Sequence, residues 1–490
     1  MQLAVTLAPL TVYWFAQIPL IGPLANAFAI PWVSVLITSS VLAGLVLPAP
    51  LDAFALRIAH GLLEVMMAGL QWLSGPRWAL WWLPQPDGWA LAAAAAGVLW
   101  CLAPRGWPLR WAAPLTWLPL VATAPSGPPH GSFRLTARDI GQGTSVLIET
   151  AHHALLFDAG PGPESTHAGE RVVVPFLRAQ GVNVLDTLIV SHADSDHSGG
   201  VPAVLEAIEV RQMVAALAPA NALWAKARQH GADTLPCAAG QRWQWDGVEF
   251  AMLWPDAGPL QGKPNAHCCV LRVSTLPRAM VGPTNGPTNG ARDGPSNGPT
   301  NGPTNGPTRG RGAAASEAGS AANRARDPQV EGEPLAALLT ADIEAPTERI
   351  LLSRDPAMLR AQVLVVPHHG SKTSSTEPFL DSIDPLVALF QVGYRNRFHH
   401  PSAGVLARYS ARHIELGGSD ADGAVRVLVE PHFAAREDRN AGSQGGPQAG
   451  LTGGPTAGPA AGPDADPQTR GAALTVERYH DTQRRYWMDR

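Results

Sequence analysis

Charge is missing where the chain begins. Residues 1–50 contain no Asp, Glu, Lys or Arg, and the first charged side chain is Asp52. Only seven charged residues occur through position 124 (Asp52, Arg57, Glu64, Arg77, Asp87, Arg105 and Arg110), yet the same stretch holds 11 of the 16 tryptophans. Apolar runs without charge, edged by Trp, are what a bilayer demands of helices. A basic n-region is also missing, and hydrophobicity resumes after the first break, so the start does not read as a cleavable signal peptide. Cysteine is scarce, at four. No spacing suggests a zinc knuckle, and Cys101, Cys237, Cys268 and Cys269 read as small apolar residues of a core or membrane. The adjacent Cys268 and Cys269 would point to opposite faces of a strand. Nor is there a basic excess: the net charge is −4. A nucleic-acid partner would therefore need a local basic groove.

What is present divides the 490 residues into unlike parts. Residues 1–127 read as transmembrane helices, 128–435 as an α/β domain, and 436–490 as a disordered linker with a basic-aromatic tail, Arg484-Arg485-Tyr486-Trp487. Residues 3–18 and 29–47 are long enough, or nearly so, to cross a membrane, and Pro19 to Pro31 suits a turn or re-entrant piece. Residues 51–74 mix polar and apolar side chains, as an amphipathic helix at the membrane or an ordinary packed helix would. Two shorter apolar runs, 89–103 and 107–124, flank Arg105 and Arg110. If both span, that loop is cytoplasmic and the domain after it lies on the other side of the inner membrane, in the periplasm.

The soluble part alternates strands and helices. Strands are expected at 133–140, 144–149, 153–158, 185–191, 247–254, 268–276, 335–341, 362–367 and 386–392, with helices at 170–180 and 199–208. Residues 281–333 form a low-complexity insert, with Gly recurring every four residues through Gly-Pro-Thr-Asn repeats between two strand-like segments. Pro and Gly at that density continue neither strand nor helix.

The strongest chemical signal is Ser191-His192-Ala193-Asp194-Ser195-Asp196-His197-Ser198-Gly199-Gly200, directly after the buried strand Leu188-Ile189-Val190. His192, Asp194, Asp196 and His197 offer four ligands on one turn. Imidazole and carboxylate donors suit Zn, Mn or Fe. A merely solvated polar turn does not call for two His and two Asp beside a Gly-Gly. Three further segments repeat the pattern of a ligand at a strand's carboxyl end. They are Leu339-Thr340-Ala341-Asp342, Val365-Val366-Pro367-His368-His369-Gly370-Ser371 and Arg397-Phe398-His399-His400-Pro401-Ser402.

Taken together, these segments resemble the metallo-β-lactamase superfamily, and more narrowly the ComEC family of competence proteins. The matching pieces are Asp139-Ile140-Gly141-Gln142-Gly143, Phe157-Asp158-Ala159-Gly160, the 192–200 motif, 339–344, 367–372 and 396–401. Pro23-Leu24-Ala25-Asn26 and Ile30-Pro31-Trp32 resemble the end of that family's channel domain. The resemblance implies a four-layer αββα metallo-β-lactamase fold preceded by an all-α transmembrane segment. It also implies DNA uptake during natural transformation, one strand entering and the other degraded by a metal-dependent nuclease domain. It assigns His192, Asp194, Asp196, His197, Asp342 and either His368 or His369 to two divalent metals, Mn or Zn, with Asp342 bridging. DNA, the membrane, other competence proteins and channel segments outside this chain are the implied partners. The chain departs from the pattern in three places. Asp194 stands where most of the superfamily has His, which favours a harder metal such as Mn. Ala341 replaces the usual Gly, and the middle His has only His267 as a stand-in. The match starts deep inside the channel domain, as a fragment, a misplaced start or a split gene would.

In this reading Asp196 and Asp342 are catalytic as well as ligating. His400 would contact the phosphate or leaving oxygen, or simply pack. Ser371 and Lys372 would steady a phosphate, although Lys372 reads first as an ordinary surface charge. The alternatives are a transport component whose metallo-β-lactamase-like domain does not turn over, and a hydrolase of small molecules, which the membrane segment does not suit.

Overall fold

The computed structural model describes residues 2–104, 106–122, 127–260, 262–276, 334–431 and 473–482. The Gly-Pro-Thr-Asn run, most of the 436–490 linker, residues 484–487 and Arg105 lie outside them. Contacts divide the chain into two units. The first holds Met1–Ser126, Gly169–Val184 and Glu206–Glu209; the second holds Gly127–Ala168, Leu185–Leu205 and Val210–Arg490.

In the first unit, Gln2–Phe15 is helical, and a second helix runs without interruption from Gly22 to Val46. The expected turn up to Pro31 is therefore confined to the residues before Gly22. Pro23 sits in the first helical turn, where its missing N–H has no partner to lose. Pro31 is absorbed because the next residues, Trp32–Ile37, widen into a π-helix. Leu51–Ser74 is one helix of 24 residues. It packs against the preceding one: Trp32 Nε1 donates to Leu62 O at 2.9 Å, and a Cβ at Gly44 would lie 2.7 Å from the Leu56 side chain. These two helices are long and apolar enough to cross a membrane.

The last two expected spans fare differently. Gly88–Leu102, capped by Asp87 accepting from Ala90 N at 3.1 Å, has only 15 residues. At about 1.5 Å per residue that falls short of a ~30 Å hydrocarbon core. The run 107–124 is not a continuous helix. Arg110–Trp117 is a 3₁₀ segment containing Pro114, followed by Leu118–Ala122. Prolines at 108, 114 and 119 remove the backbone donors an α-helix needs there. The crossing on which the periplasmic expectation relied is thus absent as a single helix.

The second unit is built on two facing sheets. One has eight strands in the order Ala473–Arg478, Val425–Glu430, Phe133–Ala137, Val146–Glu149, Ala154–Phe157, Val184–Val190, Glu209–Ala215 and Asp233–Pro236. The other has seven: Glu415–Gly418, Val387–Phe390, Val363–Val365, Ala336–Leu339, Val270–Thr275, Val248–Trp254 and Arg242–Trp245. A single apolar core joins them, with Phe133, Leu135 and Phe157 of one sheet and Phe250, Leu338 and Leu389 of the other. This is the α/β metallo-β-lactamase fold.

Ala336–Leu339, Val363–Val365, Val387–Phe390 and Glu415–Gly418 run parallel, as do Ala154–Phe157 and Val184–Val190. Four of these six, Ala336–Leu339, Val363–Val365, Val387–Phe390 and Ala154–Phe157, are buried along their whole length, as both-faced parallel strands must be. Their carboxyl ends collect at one rim, the usual site of chemistry in such sheets.

One sequence expectation needs correcting here, and one gains a bond. The tail assigned to a disordered 436–490 contributes an edge strand, Ala473–Arg478, paired antiparallel with Val425–Glu430. Its alternation of polar and apolar residues is visible once a partner strand is known. Cys237 and Cys269, read as small apolar core residues, are buried in the core and are also joined by a disulfide, with their Cα atoms 6.1 Å apart.

Candidate metal centre

Three strand ends deliver the cluster. After Val184–Val190 the chain turns through Ser191 and His192 into a short helix, Ser195–Ser198, that carries Asp196 and His197. Ala336–Leu339 ends in Thr340, Ala341 and Asp342. Val363–Val365 ends in a 3₁₀ turn, Pro367–Gly370, that carries His368 and His369. Backbone strain marks this rim: Asp158, Ala341, His368 and His369 have φ of 58°, 45°, 51° and 53°. For non-glycine residues such conformations cost on the order of 1–3 kcal/mol each and persist only where the surroundings impose them. Gly143, at φ 136°, explains the glycine of the 139–143 motif, since a Cβ there would overlap the Asp196 carbonyl oxygen.

Asp196, His197, Asp342 and His369 each bring one donor atom within 4.8 Å of the others. His197 Nε2 lies 3.1 Å from Asp342 Oδ1 and 3.3 Å from His369 Nε2. His369 Nε2 is 3.4 Å from Asp342 Oδ1 and 3.5 Å from Asp196 Oδ2. The far nitrogen of each imidazole is tied back. His197 Nδ1 meets Asp158 Oδ2 at 2.8 Å, and His369 Nδ1 meets the Gln391 carbonyl at 2.8 Å. A partner on Nδ1 fixes the tautomer and leaves Nε2 as the donor facing inward. Asp158 is fully buried and also accepts from Ser191 N at 2.7 Å and Ser191 Oγ at 2.6 Å.

Of the remaining sequence candidates, His192 is fully buried beside His197, ring centroids 4.2 Å apart. Its Nδ1 meets Ser191 Oγ at 2.9 Å, whereas its Nε2 is buried without a hydrogen bond and lies 3.5 Å from Asp194 Oδ2. His368 stands beside the cluster: Nε2 is 3.7 Å from Asp342 Oδ2, and Nδ1 faces Glu344 and Thr373 at 3.4 Å and 3.2 Å. His400 reaches only the outer side of His368, with ring centroids 5.9 Å apart. Ser371 is buried and hydrogen-bonds Thr373 at 3.1 Å, while Lys372 is exposed. Sequence reasoning gave Asp158 and Gln391 no part in the site. Asp158 had a signal, a carboxylate directly after a buried strand like Asp342; Gln391 acts through its backbone and had none.

The electrostatics ask for a cation. Burial works against charge on His197, yet Asp342, Asp158 and Asp196 outweigh it and hold its pKa well above the ordinary value. Burial likewise opposes ionisation of Asp342, but His197 and His369 keep its carboxyl well below the usual range. Asp196, against the same burial cost, is brought to about 2 by His197 and His369. Three carboxylates thus crowd imidazoles whose inward nitrogens are unprotonated donors only if something else carries positive charge. With His192 Nε2 and Asp342 Oδ1 buried without a hydrogen bond, the donor set fits divalent metal. His400 is different: burial and then the neighbouring His369 and His368 push its pKa down, so its ring is neutral near neutral pH.

Comparison with known proteins agrees with this architecture. The family model described as Competence protein matches residues 1–108, and that of the metallo-beta-lactamase superfamily matches 138–280. The chain is 33% identical to Competence protein ComA of Neisseria gonorrhoeae over 417 residues, 84% of this chain and 49% of ComA. It is 27% identical to the uncharacterized protein YcaI of Escherichia coli, covering 84% of this chain and 45% of YcaI. ComE operon protein 3 of Bacillus subtilis is 25% identical, over 59% of this chain and 32% of that protein. The chain therefore spans about half the length, or less, of these relatives. Among solved structures, the metallo-beta-lactamase fold protein YhfI of Bacillus subtilis superposes with a TM-score of 0.31 at 11% identity, over 59% of this chain and 96% of YhfI. The fold assignment rests on the sheet order and the family match. The chain joins a competence-protein segment to a metallo-β-lactamase domain and is a homologue of the ComEC family of competence proteins.

Proposed function

We propose that this chain is a membrane-attached, metal-dependent phosphodiester hydrolase that acts on DNA, within DNA uptake across the inner membrane during natural transformation. The observation that carries the reading is the convergence of Asp196, His197, Asp342 and His369 at the rim of the fold. Supporting it are the relative named a competence protein and the apolar helices Gly22–Val46 and Leu51–Ser74.

Asp196, His197, Asp342 and His369 would hold one divalent ion. His192 and Asp194, sharing Asp342, would hold a second, with Mn or Zn suited to this mixed nitrogen and oxygen set. Such ions supply Lewis acidity and neutralise the charge that builds on a phosphodiester. The chain's own groups do the rest. Asp158 and the Gln391 carbonyl hold His197 and His369 in register. The Asp196 side chain, 31% exposed, faces both cluster and solvent, so it can orient water and take its proton. The neutral His400 ring can donate a hydrogen bond to a phosphate oxygen beyond His368. In this reading the strand degraded is the one not transported, and the hydrolase domain lies on the periplasmic side, which incoming DNA reaches first.

The test is hydrolysis of labelled single- and double-stranded DNA by the full chain in detergent, with Mn²⁺, Zn²⁺ and Mg²⁺. Cleavage with at least one metal and none in chelator is expected; no cleavage with any metal overturns the reading. Labelling of Ser353→Cys by an impermeant thiol reagent in intact spheroplasts, after the native cysteines are replaced, reports the side; protection reverses the assignment.

A further inference from the structure

Beyond Gln391, the loop that follows Val387–Phe390 supplies no donor to the four-residue metal cluster, yet its side chains are arranged in a way packing does not explain. Tyr394 is 72% exposed and Phe398 is 49% exposed. Each ring carries an arginine against it: the Arg395 guanidinium lies 5.1 Å from the Tyr394 centroid, and that of Arg397 lies 4.8 Å from Phe398. Phe398 is stacked on His400, centroids 5.8 Å apart and planes 24° from parallel. His400 in turn meets His368, whose Nε2 is 3.7 Å from Asp342. An unbroken ladder of rings therefore leads from solvent to the metal centre.

The loop itself is held firmly. Asn396 N donates to Gly393 O at 3.1 Å, Asn396 Nδ2 donates to His400 O at 2.6 Å, and His400 N donates back to Asn396 Oδ1 at 3.0 Å. Gly393 N donates to Gln142 Oε1 at 3.2 Å. Arg395 and His399 are kept at φ of 50° and 55°. The fold thus spends local strain to hold two aromatic rings in water, flanked by cations.

We propose that this loop is a binding platform for single-stranded nucleic acid, with Tyr394 and Phe398 stacking on unpaired bases and Arg395 and Arg397 pairing with the phosphates between them. The chemistry points to a single strand because only unpaired bases have both faces free for aromatic side chains, and rings interleaved with cations match the base–phosphate alternation of such a strand. Continuity with His400 and His368 gives the ladder a direction, leading a strand's backbone toward Asp342. A membrane surface would also take aromatic and arginine side chains, but one docked here would cover the approach to the cluster. The proposal deepens the hydrolase reading and rests on it only for where the bound strand leads.

The test is fluorescence anisotropy of a labelled oligo-thymidine with the full chain in detergent and in EDTA, so that neither metal loading nor cleavage enters. Tyr394→Leu with Phe398→Leu should weaken binding at least about tenfold, the scale of lost base stacking. Tyr394→Trp should retain it. Arg395→Gln with Arg397→Gln should lower the slope of log affinity against log salt by about 1.4, at roughly 0.7 per phosphate on a single strand. Melting temperatures confirm that each variant is folded. Native affinity in the Leu variant, tighter binding of a duplex of equal length, or loss of anionic-vesicle binding with oligonucleotide binding intact each overturns the proposal. Because binding is read without metal, a chain that binds the strand but never cleaves DNA refutes the hydrolase reading alone.

Discussion

The helical region and the α/β domain use the same apolar residues in opposite directions. In the first, Leu45, Val46, Trp72 and Trp111 are 73%, 83%, 78% and 79% exposed. In the second, Phe133, Phe157 and Phe250 are fully buried, while Asp158, His192 and His197 are buried with them. A lipid-facing helix satisfies its own backbone and has no cost to presenting Leu outward. A water-soluble sandwich must turn its apolar faces inward, and can carry a buried polar centre only if each group there is held by another. The difference teaches where mutations should hurt.

The sharpest way to break that comparison is a matched pair of truncations. Phe250→Ala removes a ring stacked on Trp243 at 5.1 Å and set edge-on to Trp245 at 4.9 Å. It should cost about 3–5 kcal/mol. Leu45→Ala, on the outward face of its helix, should change stability by less than about 0.5 kcal/mol. Thermal or denaturant unfolding in detergent checks both. Equal losses would mean that the helical region buries Leu45 against a partner.

Within the α/β domain, the polar centre should show two grades of loss. Asp196→Ala removes a candidate ligand, and DNA hydrolysis should fall at least about a hundredfold, with metal content lowered and circular dichroism unchanged. Asp158→Asn leaves all candidate ligands in place but removes the charge and turns one of the two oxygens that Ser191 and His197 share into an NH2 donor. Metal affinity should then drop about ten- to a hundredfold. Titration with Mn²⁺ or Zn²⁺ separates the two, and an Asp158→Asn protein with native affinity would remove orientation from the account.

Much of this was legible in the sequence, and the reasons are physical. The 192–197 turn and Asp342 could be read because a parallel strand ends in a ligand, a local pattern. The core strands from 133 to 158 were legible from their apolar runs. Arg242–Trp245 and Ala473–Arg478 were not, since each alternates at a sheet edge where its pattern means little without a partner. The choice between His368 and His369 was also closed to sequence, because both follow the same strand; in the fold His369 Nε2 lies 3.4 Å from Asp342 Oδ1 and His368 Nε2 lies 3.7 Å from Asp342 Oδ2. At 107–124 the cause is the opposite: the hydropathy suits a span, but prolines at 108, 114 and 119 break the helix.

Away from the metal centre, Asp246 offers a smaller test of buried polar cost. It accepts from Thr150 Oγ1 at 2.6 Å and His152 N at 2.8 Å, and pairs with His153 Nδ1 at 3.0 Å. Burial opposes its ionisation, but His153, Thr150 and His152 prevail and hold its carboxyl well below the usual range. For His153, burial is likewise outweighed, chiefly by Asp246, and its pKa is raised. The depressed acid stabilises fully above an unfolded value near ~3.9 and fades as pH falls through its native value. The raised base stabilises fully below ~6.5 and fades as pH rises through its native value. Asp246→Asn should therefore cost most between about pH 4 and 6.5, by roughly 1 kcal/mol because the pair is partly screened by solvent. A cost that is flat across pH 3–9 in denaturant titrations would rule out the ion pair as its source.

The smallest expected effect concerns Ala341, the residue before Asp342 and a place where this chain departs from the pattern it resembles. Its φ of 45° is left-handed, where a Cβ crowds the backbone and glycine does not. Its carbonyl accepts from His368 N at 2.9 Å, so the strained turn ties the Asp342 strand end to the histidine turn. Ala341→Gly relieves the Cβ clash but gives the unfolded chain more freedom, and the two effects partly cancel. The net result should be a gain below about 1 kcal/mol. Ala341→Val supplies the opposite sign, because a β-branched residue at this φ adds strain and the site is only 4% exposed. If glycine destabilises as valine does, the Ala341 methyl contributes more through packing in the core than its backbone costs. The polar rim would then follow the rule of the buried strands beneath it, and strain would have no separate place in the comparison.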